Sequence, residues 1–288
     1  MKMNINIDNI QLENALYIIS TPIGNMDDIT IRALQVLTKI DYLFCEDTRI
    51  TRKLLEYYNI DKKSLFIYND FSSDEERLKI IDLLNKKYSV GLVSDAGTPL
   101  ISDPGYKLVR ECKNQNIKVI PICGASAILT SLVSSGLPSD KFLFYGFLSE
   151  KEQERQKELE NIKHKKETII IYESPKRILF TLRDIQNICG NIEICIAREI
   201  TKIYEDIKTD SISNIIDYYT NNKDKLKGEF VIILKNKNIN TTDLDIDKIK
   251  MVYNTLNKTL KKKEIADFIF KIGLHSDKKE IYELLLTL

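Results

Sequence analysis

The chain has 288 residues, of which 43% are hydrophobic and 30% charged, a composition typical of globular proteins and unlike that of disordered ones. The 43 lysine and arginine residues nearly balance the 42 aspartate and glutamate residues, so the net charge is +1 and any contact with nucleic acid needs a local basic patch. The length predicts about two domains, each with its own core.

The first half of the sequence alternates short apolar strands with amphipathic helices. The alternation begins with the strand ALYIIST and the helix DITIRALQVLTKI, for which Asp27 or Asp28 could provide the N-cap. It continues through YLFCE, TRITRKLLEYY, SLFIYND, SDEERLKIIDLLNKK, SVGLVSD, GYKLVRECKNQN and IKVIPI. This order predicts parallel βαβ units, in which ligands bind beyond the carboxyl ends of the strands.

After residue 138 the strands follow one another more closely. We predict strands in KFLFYGFL, ETIIIYES, NIEICIAREI, KIYEDIKTD and GEFVIILKN, and helices in KEQERQKELENI, PKRILFTLRDIQNI and SISNIIDYYTN. The last fifty residues are helical in character, with Gly273 as an expected C-cap and Ser276 as an expected N-cap. The sequence therefore predicts an N-terminal α/β domain over 13–138, a second α/β domain with a mixed sheet over 139–239, and a small helical domain over 240–288.

Several classes of chemistry are excluded by what the sequence lacks. Its two histidines, His164 and His275, lie outside the candidate loops, which argues against a zinc site or a Ser-His-Asp triad. The five cysteines form no CxxC pair, and we expect reduced thiols in the core. No GxxxxGK[ST] loop, long apolar run or signal-peptide core occurs. We expect a cytoplasmic protein without a membrane span or a metal site.

Four loops after predicted strands carry the chemical signal. The loop over 94–105, SDAGTPLISDPG, is the strongest because its many small residues let backbone groups approach a ligand closely. The other three loops contain STPIGNMDDIT, EDTR and CGASA. Each of these three could also be an ordinary helix start, a solvated ion pair or a close packing contact.

The motifs TPIGNMDDITIRAL, CEDTRITRKLL, VSDAGTPLISDPGY, GASA, GLPSDKFLFYGFL, YESPKR, AREITKIYE and KGEFV occur in this order. Together they resemble the bacterial 16S ribosomal RNA cytidine 2′-O-methyltransferases, a branch of the tetrapyrrole methylase superfamily. The resemblance runs from about Leu16 to Leu234. It departs from the usual pattern at Lys176, where histidine is more frequent, and at Cys123, where proline is usual.

The resemblance implies two α/β domains of the tetrapyrrole methylase type, a cofactor cleft between them and a homodimer. It also implies that S-adenosylmethionine methylates a cytidine ribose in the decoding region of the small ribosomal subunit, with 16S rRNA or the 30S subunit as partner. The cofactor-binding residues that it implies are Pro22, Ser94, Asp95, Ala96, Gly97, Thr98, Ile101, Ser102, Gly124, Ala125, Ser126, Tyr172, Ala197, Arg198, Gly228, Glu229 and Phe230.

The ribose hydroxyl is a weak acid, so a carboxylate base or a polarising cation would help methyl transfer. We hypothesise that Glu46, Asp47 or Glu173 is that base. Arg49, Lys176 and Arg177 would hold phosphate or orient the base. Lysines of the tail, Lys258 and Lys261–Lys263 among them, could bind RNA or could simply be solvated. A methylase of corrinoids or diphthamide precursors and a non-enzymatic ribosome-assembly factor are the alternatives.

Overall fold

The structure, a computed structural model, describes residues 10–60, 64–69, 71–236, 246–272, 274–275 and 277–288. The chain divides into two compact units. The first contains two β-sheets and extends to Lys235, and the second contains the three helices that follow Asn236. None of the described helices is long and apolar enough to cross a bilayer.

The first sheet and its helices form what we call the first lobe. Its five strands are parallel and lie in the order β3-β2-β4-β1-β5. The apolar runs of the inner strands β2, β4 and β1 are buried on both faces by helices, as in other parallel sheets, whereas the edge strands β3 and β5 are partly exposed. The elements are β1 Leu16–Ile19, α1 Ile31–Lys39, β2 Tyr42–Cys45, α2 Thr48–Tyr57, β3 Leu65–Ile67, α3 Asp74–Asn85, β4 Val90–Val93, α4 Tyr106–Asn114, β5 Val119–Ile122 and α5 Ala127–Ser134.

The second sheet and its helices form the second lobe. The sheet is mixed, as predicted: β6 and β7 are parallel, and the other neighbours in the order β6-β7-β10-β8-β9 are antiparallel. Helices α6, α7 and α8 cover one face, and α5 of the first lobe packs against the other. The elements are β6 Phe142–Phe147, α6 Glu152–Lys163, β7 Thr168–Glu173, α7 Ile178–Cys189, β8 Glu193–Arg198, β9 Asp206–Ser211, α8 Ile212–Asn221 and β10 Phe230–Leu234.

The C-terminal unit has a small core of its own. Helices α9 Ile246–Leu256, α10 Lys262–Lys271 and α11 Lys278–Thr287 enclose it. His275 is buried beside this core, and its Nε2 lies 2.8 Å from Glu280 Oε2. The N-cap of α11 is Asp277, whose carboxylate accepts from the amides of Lys279 and Glu280. The caps expected at Gly273 and Ser276 fall on residues outside the described ones.

Three local expectations were wrong. The N-cap of α1 is Thr30, whose Oγ1 accepts from Ala33 N, because Asp27 and Asp28 belong to a preceding 3₁₀ turn. Strand β9 starts only at Asp206, since residues 199–205 form a loop. Cys123 is exposed, whereas Cys45, Cys112 and Cys195 are buried and Cys189 is half-buried.

Candidate functional site

Four loops meet at the carboxyl edge of the first sheet, because they follow the neighbouring strands β2, β4, β1 and β5. Thr21 and Gly97 exchange backbone hydrogen bonds of 2.8 and 3.1 Å, which join the loops after β1 and β4. Thr98 Oγ1 donates to Ala125 O at 3.2 Å, and Asp47 N donates to Asp95 Oδ1 at 3.0 Å. The loop over 94–105 therefore holds the other three in place.

The loop over 94–105 has a strained backbone. Gly97 has φ +77° and Gly105 has φ +132°, and the non-glycine residues Leu100 and Ser102 have φ of 75° and 63°. Such conformations cost energy in L-residues and concentrate at ligand sites. A Cβ on Gly105 would lie 2.8 Å from Leu100 Cδ1, so this glycine is required by close packing as well as by its φ.

The second lobe contributes a facing wall built around an ion-pair network. Lys202 Nζ lies 2.8 Å from Glu199 Oε1 and 2.8 Å from Glu229 Oε2. Glu199 also accepts from Glu229 N at 2.9 Å. A Cβ on Gly228 would lie 2.2 Å from Glu199 Cδ, so only glycine permits this approach.

The two lobes touch through the loop after β1. Asn25 N donates to Thr201 Oγ1 at 3.1 Å. A Cβ on Gly24 would lie 2.5 Å from Lys202 Cγ and 2.6 Å from Thr201 Oγ1. The absence of a side chain at Gly24 is thus what allows the lobes to meet this closely.

A cavity of about 390 Å³, which we call the first cavity, lies between these walls. This size suits a small-molecule ligand. The residues of the implied cofactor set that line it are Asp95, Ala96, Gly97, Thr98, Ile101, Ser102, Ser126, Tyr172, Ala197, Gly228, Glu229 and Phe230.

The lining of the first cavity is acidic. Glu46, Asp95, Asp103, Glu173 and Glu229 line it, and none of the described lining residues is lysine or arginine. Burial, with Asp103 and Glu229 nearby, raises the pKa of Tyr172 to about 12, so its hydroxyl stays neutral. An acidic, partly buried cavity favours a ligand that carries positive charge.

Five residues of the implied cofactor set do not line the first cavity. Pro22 and Ser94 line a second cavity beside it. Gly124 packs against Ser20, and Ala125 takes part through its carbonyl bond to Thr98. Arg198 is buried and donates to Lys227 O at 3.0 Å and Tyr204 O at 3.1 Å, so it fixes the backbone of the second lobe.

The candidate bases differ in what already holds them. Glu46 lines the first cavity. Asp47 is the N-cap of α2, and hydrogen bonds from Arg49, at 2.5 to 3.1 Å, lower the pKa of its carboxyl to about 2. Asp47 and Arg49 lie outside the lining of the first cavity, and the strong ion pair makes Asp47 a weak base.

Glu173 lines the first cavity, but its carboxylate is buried in a network. It accepts hydrogen bonds from Ser174 N at 2.7 Å, Thr181 Oγ1 at 2.6 Å and Arg177 Nη2 at 3.2 Å. Arg177 Nε also lies 3.0 Å from Glu173 Oε1. These bonds favour a structural role for Glu173 over that of a base.

Phe147 is a cavity residue that the sequence analysis missed. The pairing of β6 with β7 slips by one residue between Phe144 and Phe147, so the rings of both phenylalanines lie on the same side of the sheet as Tyr172. Their ring centroids are 4.8 and 5.7 Å from that of Tyr172. Simple strand alternation would place the two phenylalanines on opposite faces. Gly146, inside the strand pattern with φ +66°, was the available signal of a bulge.

Other missed lining residues are mostly neighbours of predicted ones. They are Ile23, Asp103, Ala127, Ser174, Pro175, Ile200 and Val231.

The described residues contain no group of three or more histidine, cysteine, aspartate or glutamate side chains placed to hold a metal ion.

Comparisons with known proteins identify a family and relatives of the chain. The model of the tetrapyrrole (corrin/porphyrin) methylases matches residues 15–216. The chain is 44% identical to ribosomal RNA small subunit methyltransferase I of Rickettsia prowazekii (strain Madrid E), over 94% of the chain and 96% of the relative. It is 38% identical to the Bacillus subtilis (strain 168) protein of the same name, over 89% of the chain and 84% of the relative.

Solved structures show the same fold at low sequence identity. Diphthine synthase has a TM-score of 0.62 at 16% identity, over 77% of this chain and 90% of that one. Cobalt precorrin-4 methyltransferase has a TM-score of 0.57 at 16% identity, over 76% of this chain and 94% of that one.

Proposed function

The chain belongs to the tetrapyrrole (corrin/porphyrin) methylase family, and from that membership we propose that it transfers a methyl group from S-adenosylmethionine to the ribose 2′-hydroxyl of a cytidine in 16S ribosomal RNA. The observation that carries the proposal is the likeness to relatives named ribosomal RNA small subunit methyltransferase I. The identity is 38–44% over 89–94% of the chain in the two relatives described above. The solved structures at 16% identity support the fold alone.

The residues of the first cavity fit the proposed cofactor. When bound, S-adenosylmethionine supplies a methyl group already activated on a positively charged sulfonium sulfur. The acidic lining favours that charge, and Gly97 and Gly228 line the cavity without side chains. We assign cofactor binding to the lining residues of the implied set, from Asp95 in the first lobe to Phe230 in the second.

The chemical step places modest demands on the protein. Displacement at the methyl carbon needs the ribose oxygen in line at roughly 3–3.5 Å, and positioning supplies most of the rate enhancement. A carboxylate that accepts the hydroxyl proton would contribute a further factor of about 10²–10⁴. The lobes therefore have to orient the hydroxyl, exclude water and accept one proton.

We propose the 30S subunit or 16S rRNA as the substrate and a homodimer in the cytoplasm as the working form. On α5, Leu129 and Val133 are one turn apart and are 53% and 78% exposed, which supports α5 as part of a dimer surface. Sedimentation of the purified chain tests this: a monomer at micromolar concentration would contradict the dimer.

Transfer of labelled methyl from S-adenosylmethionine to 30S subunits lacking the modification tests the proposed function, with naked 16S RNA assayed in parallel. We expect the label in 2′-O-methylcytidine after nuclease digestion and nucleoside analysis. Cofactor binding without transfer to either RNA would contradict the acceptor and leave a methylase of another substrate. Binding to 30S subunits without cofactor binding would instead favour an assembly factor.

A further inference from the structure

A second cavity of about 270 Å³ adjoins the first. Ile23, Asp95, Ala96 and Glu229 line both cavities, so these residues form a shared wall. The rest of the second cavity is formed mainly by the loop after β1 and the face of α2. If each cavity holds one of two ligands that react with each other, the reaction takes place beside these shared residues.

The walls of the second cavity combine an apolar side with a basic rim. Met26, Ile50 and Leu54 provide the apolar side. Lys53 is exposed, and within the described part of the chain no carboxylate pairs with it. The other basic lining residue, Lys202, is already held by two glutamates. A nucleotide offers the matching chemistry, with an apolar base and an anionic phosphate.

Asp95 is the carboxylate of the shared wall that can still accept a hydrogen bond from a ligand. Its Oδ1 accepts from Asp47 N, and its Oδ2 has no bonding partner among the residues that the structure describes. Glu229, the other shared carboxylate, is paired with Lys202. Burial raises the pKa of Asp95, against the opposing effect of the Asp47 amide, and this makes it a stronger base than an exposed aspartate.

We propose that the second cavity is the acceptor subsite, in which Lys53 binds the phosphate of the target nucleotide and Asp95 binds its reacting hydroxyl. This inference rests on the proposed function and assigns the acceptor side of the same reaction. As the new oxygen–carbon bond forms and the carbon–sulfur bond breaks, the hydroxyl proton passes to Asp95 Oδ2 and then to solvent. The sulfur leaves as a neutral thioether, so atoms and charge balance.

The variant Asp95→Asn tests the role of the carboxylate. Asparagine keeps an oxygen for the Asp47 amide but cannot take up the proton. We expect kcat at saturating S-adenosylmethionine to fall by about 10²–10⁴-fold, which is a larger change than that of the Kd for S-adenosylmethionine, measured by calorimetry, because Asp95 also lines the first cavity. The control is Asp217→Asn, an exposed carboxylate on α8, and it should match the wild type.

The pH profile supplies a second readout for Asp95. Besides burial, which raises its pKa, the groups that act on its charge are the Asp47 amide, whose hydrogen bond lowers the pKa, the Asp47 carboxylate, which raises it, and Arg49, which lowers it. Lys202 and Glu229 face it from the second lobe. The wild-type kcat should rise with pH through the pKa of Asp95, above the usual 3.8, and Asp95→Asn should lack this rise. A kcat for Asp95→Asn within about 3-fold of wild type, or a matching loss of cofactor binding, would overturn the assignment.

The variant Lys53→Gln tests the phosphate contact in a binding experiment in which no methyl transfer takes place. We measure its affinity for unmodified 30S subunits in the absence of cofactor, over a range of salt concentrations. Loss of one phosphate contact should weaken binding by about 3–10-fold and lower the salt slope by about 1. The Kd for S-adenosylmethionine should not change. The control is Lys86→Gln, which removes an exposed lysine at the opposite end of the sheet.

Equal behaviour of Lys53→Gln and Lys86→Gln would overturn the subsite. Failure of this inference is distinguishable from failure of the proposed function. If the wild type methylates 30S subunits and the Asp95 and Lys53 variants behave like their controls, only the acceptor subsite is wrong. If the wild type methylates no ribosomal RNA, the proposed function is wrong.

Discussion

Three carboxylates around the first cavity are held in three different ways, and this decides what each can do. Asp47 is fixed by Arg49, Glu173 is buried among three hydrogen-bond donors, of which Arg177 is one, and Asp95 has one oxygen engaged. A carboxylate whose lone pairs already accept strong bonds has little basicity left for a substrate. Proximity to a cavity alone therefore does not identify a base.

The role of Glu173 is tested by Glu173→Gln. We expect the free energy of unfolding to fall by about 1–3 kcal/mol, because Arg177, with 19% of its side chain exposed, loses its buried ion-pair partner. The control is Glu150→Gln, because Glu150 lies 3.7 Å from the same arginine but is 89% exposed, and it should change stability by less than about 0.5 kcal/mol. Urea unfolding measures both. Unchanged stability with a lost kcat would restore Glu173 as the base.

Residue types and spacing could predict which loops contain the site but not the engagement of each side chain. The sequence placed Glu46, Asp47 and Glu173 on equal terms, because all three are acidic residues at the ends of strands. Their hydrogen-bond partners include Arg49, Arg177 and Thr181. The sequence alone does not predict the direction in which those side chains point. Hydrogen bonds from Arg49 set Asp47 apart, and burial with Arg177 and Thr181 sets Glu173 apart; both are properties of the folded chain.

At the scale of elements, the loop between β8 and β9 positions side chains of the site as well as connecting the two strands. Residues 199–200 and 202–205 were predicted to belong to two successive strands, yet Glu199 and Thr201 have φ of 50° and 65° and the whole segment is a loop. This irregular loop brings Lys202 between two glutamates and presents Thr201 to the first lobe. Strand propensity in KIYEDIKTD was overridden by these tertiary contacts, whereas the long periodic helices and the buried strands needed no such contacts to be predicted.

The contact at Gly24 is tested by Gly24→Ala. The added methyl group would overlap Lys202 and Thr201, so we expect a loss of about 1–3 kcal/mol in stability and weaker S-adenosylmethionine binding as the facing wall moves. Urea unfolding and calorimetry measure the two effects.

Gly190→Ala is the control for Gly24→Ala. Gly190 has φ +80° and ψ −170°, a conformation that is essentially restricted to glycine, and nothing lies within 4 Å of an added Cβ, so the substitution should cost about 1–3 kcal/mol through backbone strain and leave cofactor binding intact. Equal cofactor affinity in the two variants would show that the contact between the lobes has no influence on the cavity.

At the scale of the whole molecule, the three C-terminal helices form a separate compact unit with its own core. Lys258, Lys263, Lys271 and Lys279 are exposed on it. Exposed cations can contact a polyanion, although the same unit also exposes Glu264, Glu280 and Glu283. The domain boundaries predicted at 138 and 239 stay a proposal, which limited proteolysis can test.

Removal of residues 241–288 tests the contribution of this unit to RNA binding. We expect the Kd for 30S subunits to rise by about 10-fold or more, with a smaller salt dependence, because phosphate contacts are lost. The Kd for S-adenosylmethionine should stay within about 2-fold, since the cavity residues remain. Filter binding and calorimetry measure the two affinities. Equal loss of both would assign the unit a role in folding.

The shared wall between the two cavities has a consequence for how this fold diversifies. Among the residues that the structure describes, Ile23, Asp95, Ala96 and Glu229 are the ones that line both cavities, so most substitutions around the second cavity leave the first untouched. If the first cavity holds the methyl donor and the second the acceptor, as we propose, a lineage can exchange one acceptor for another by substitutions in the loop after β1 and on α2, while selection preserves the donor side. A diphthine synthase and a cobalt precorrin-4 methyltransferase, each at 16% identity, share the fold of this chain. Under this assignment, single substitutions in the second cavity change the acceptor and leave the donor site working.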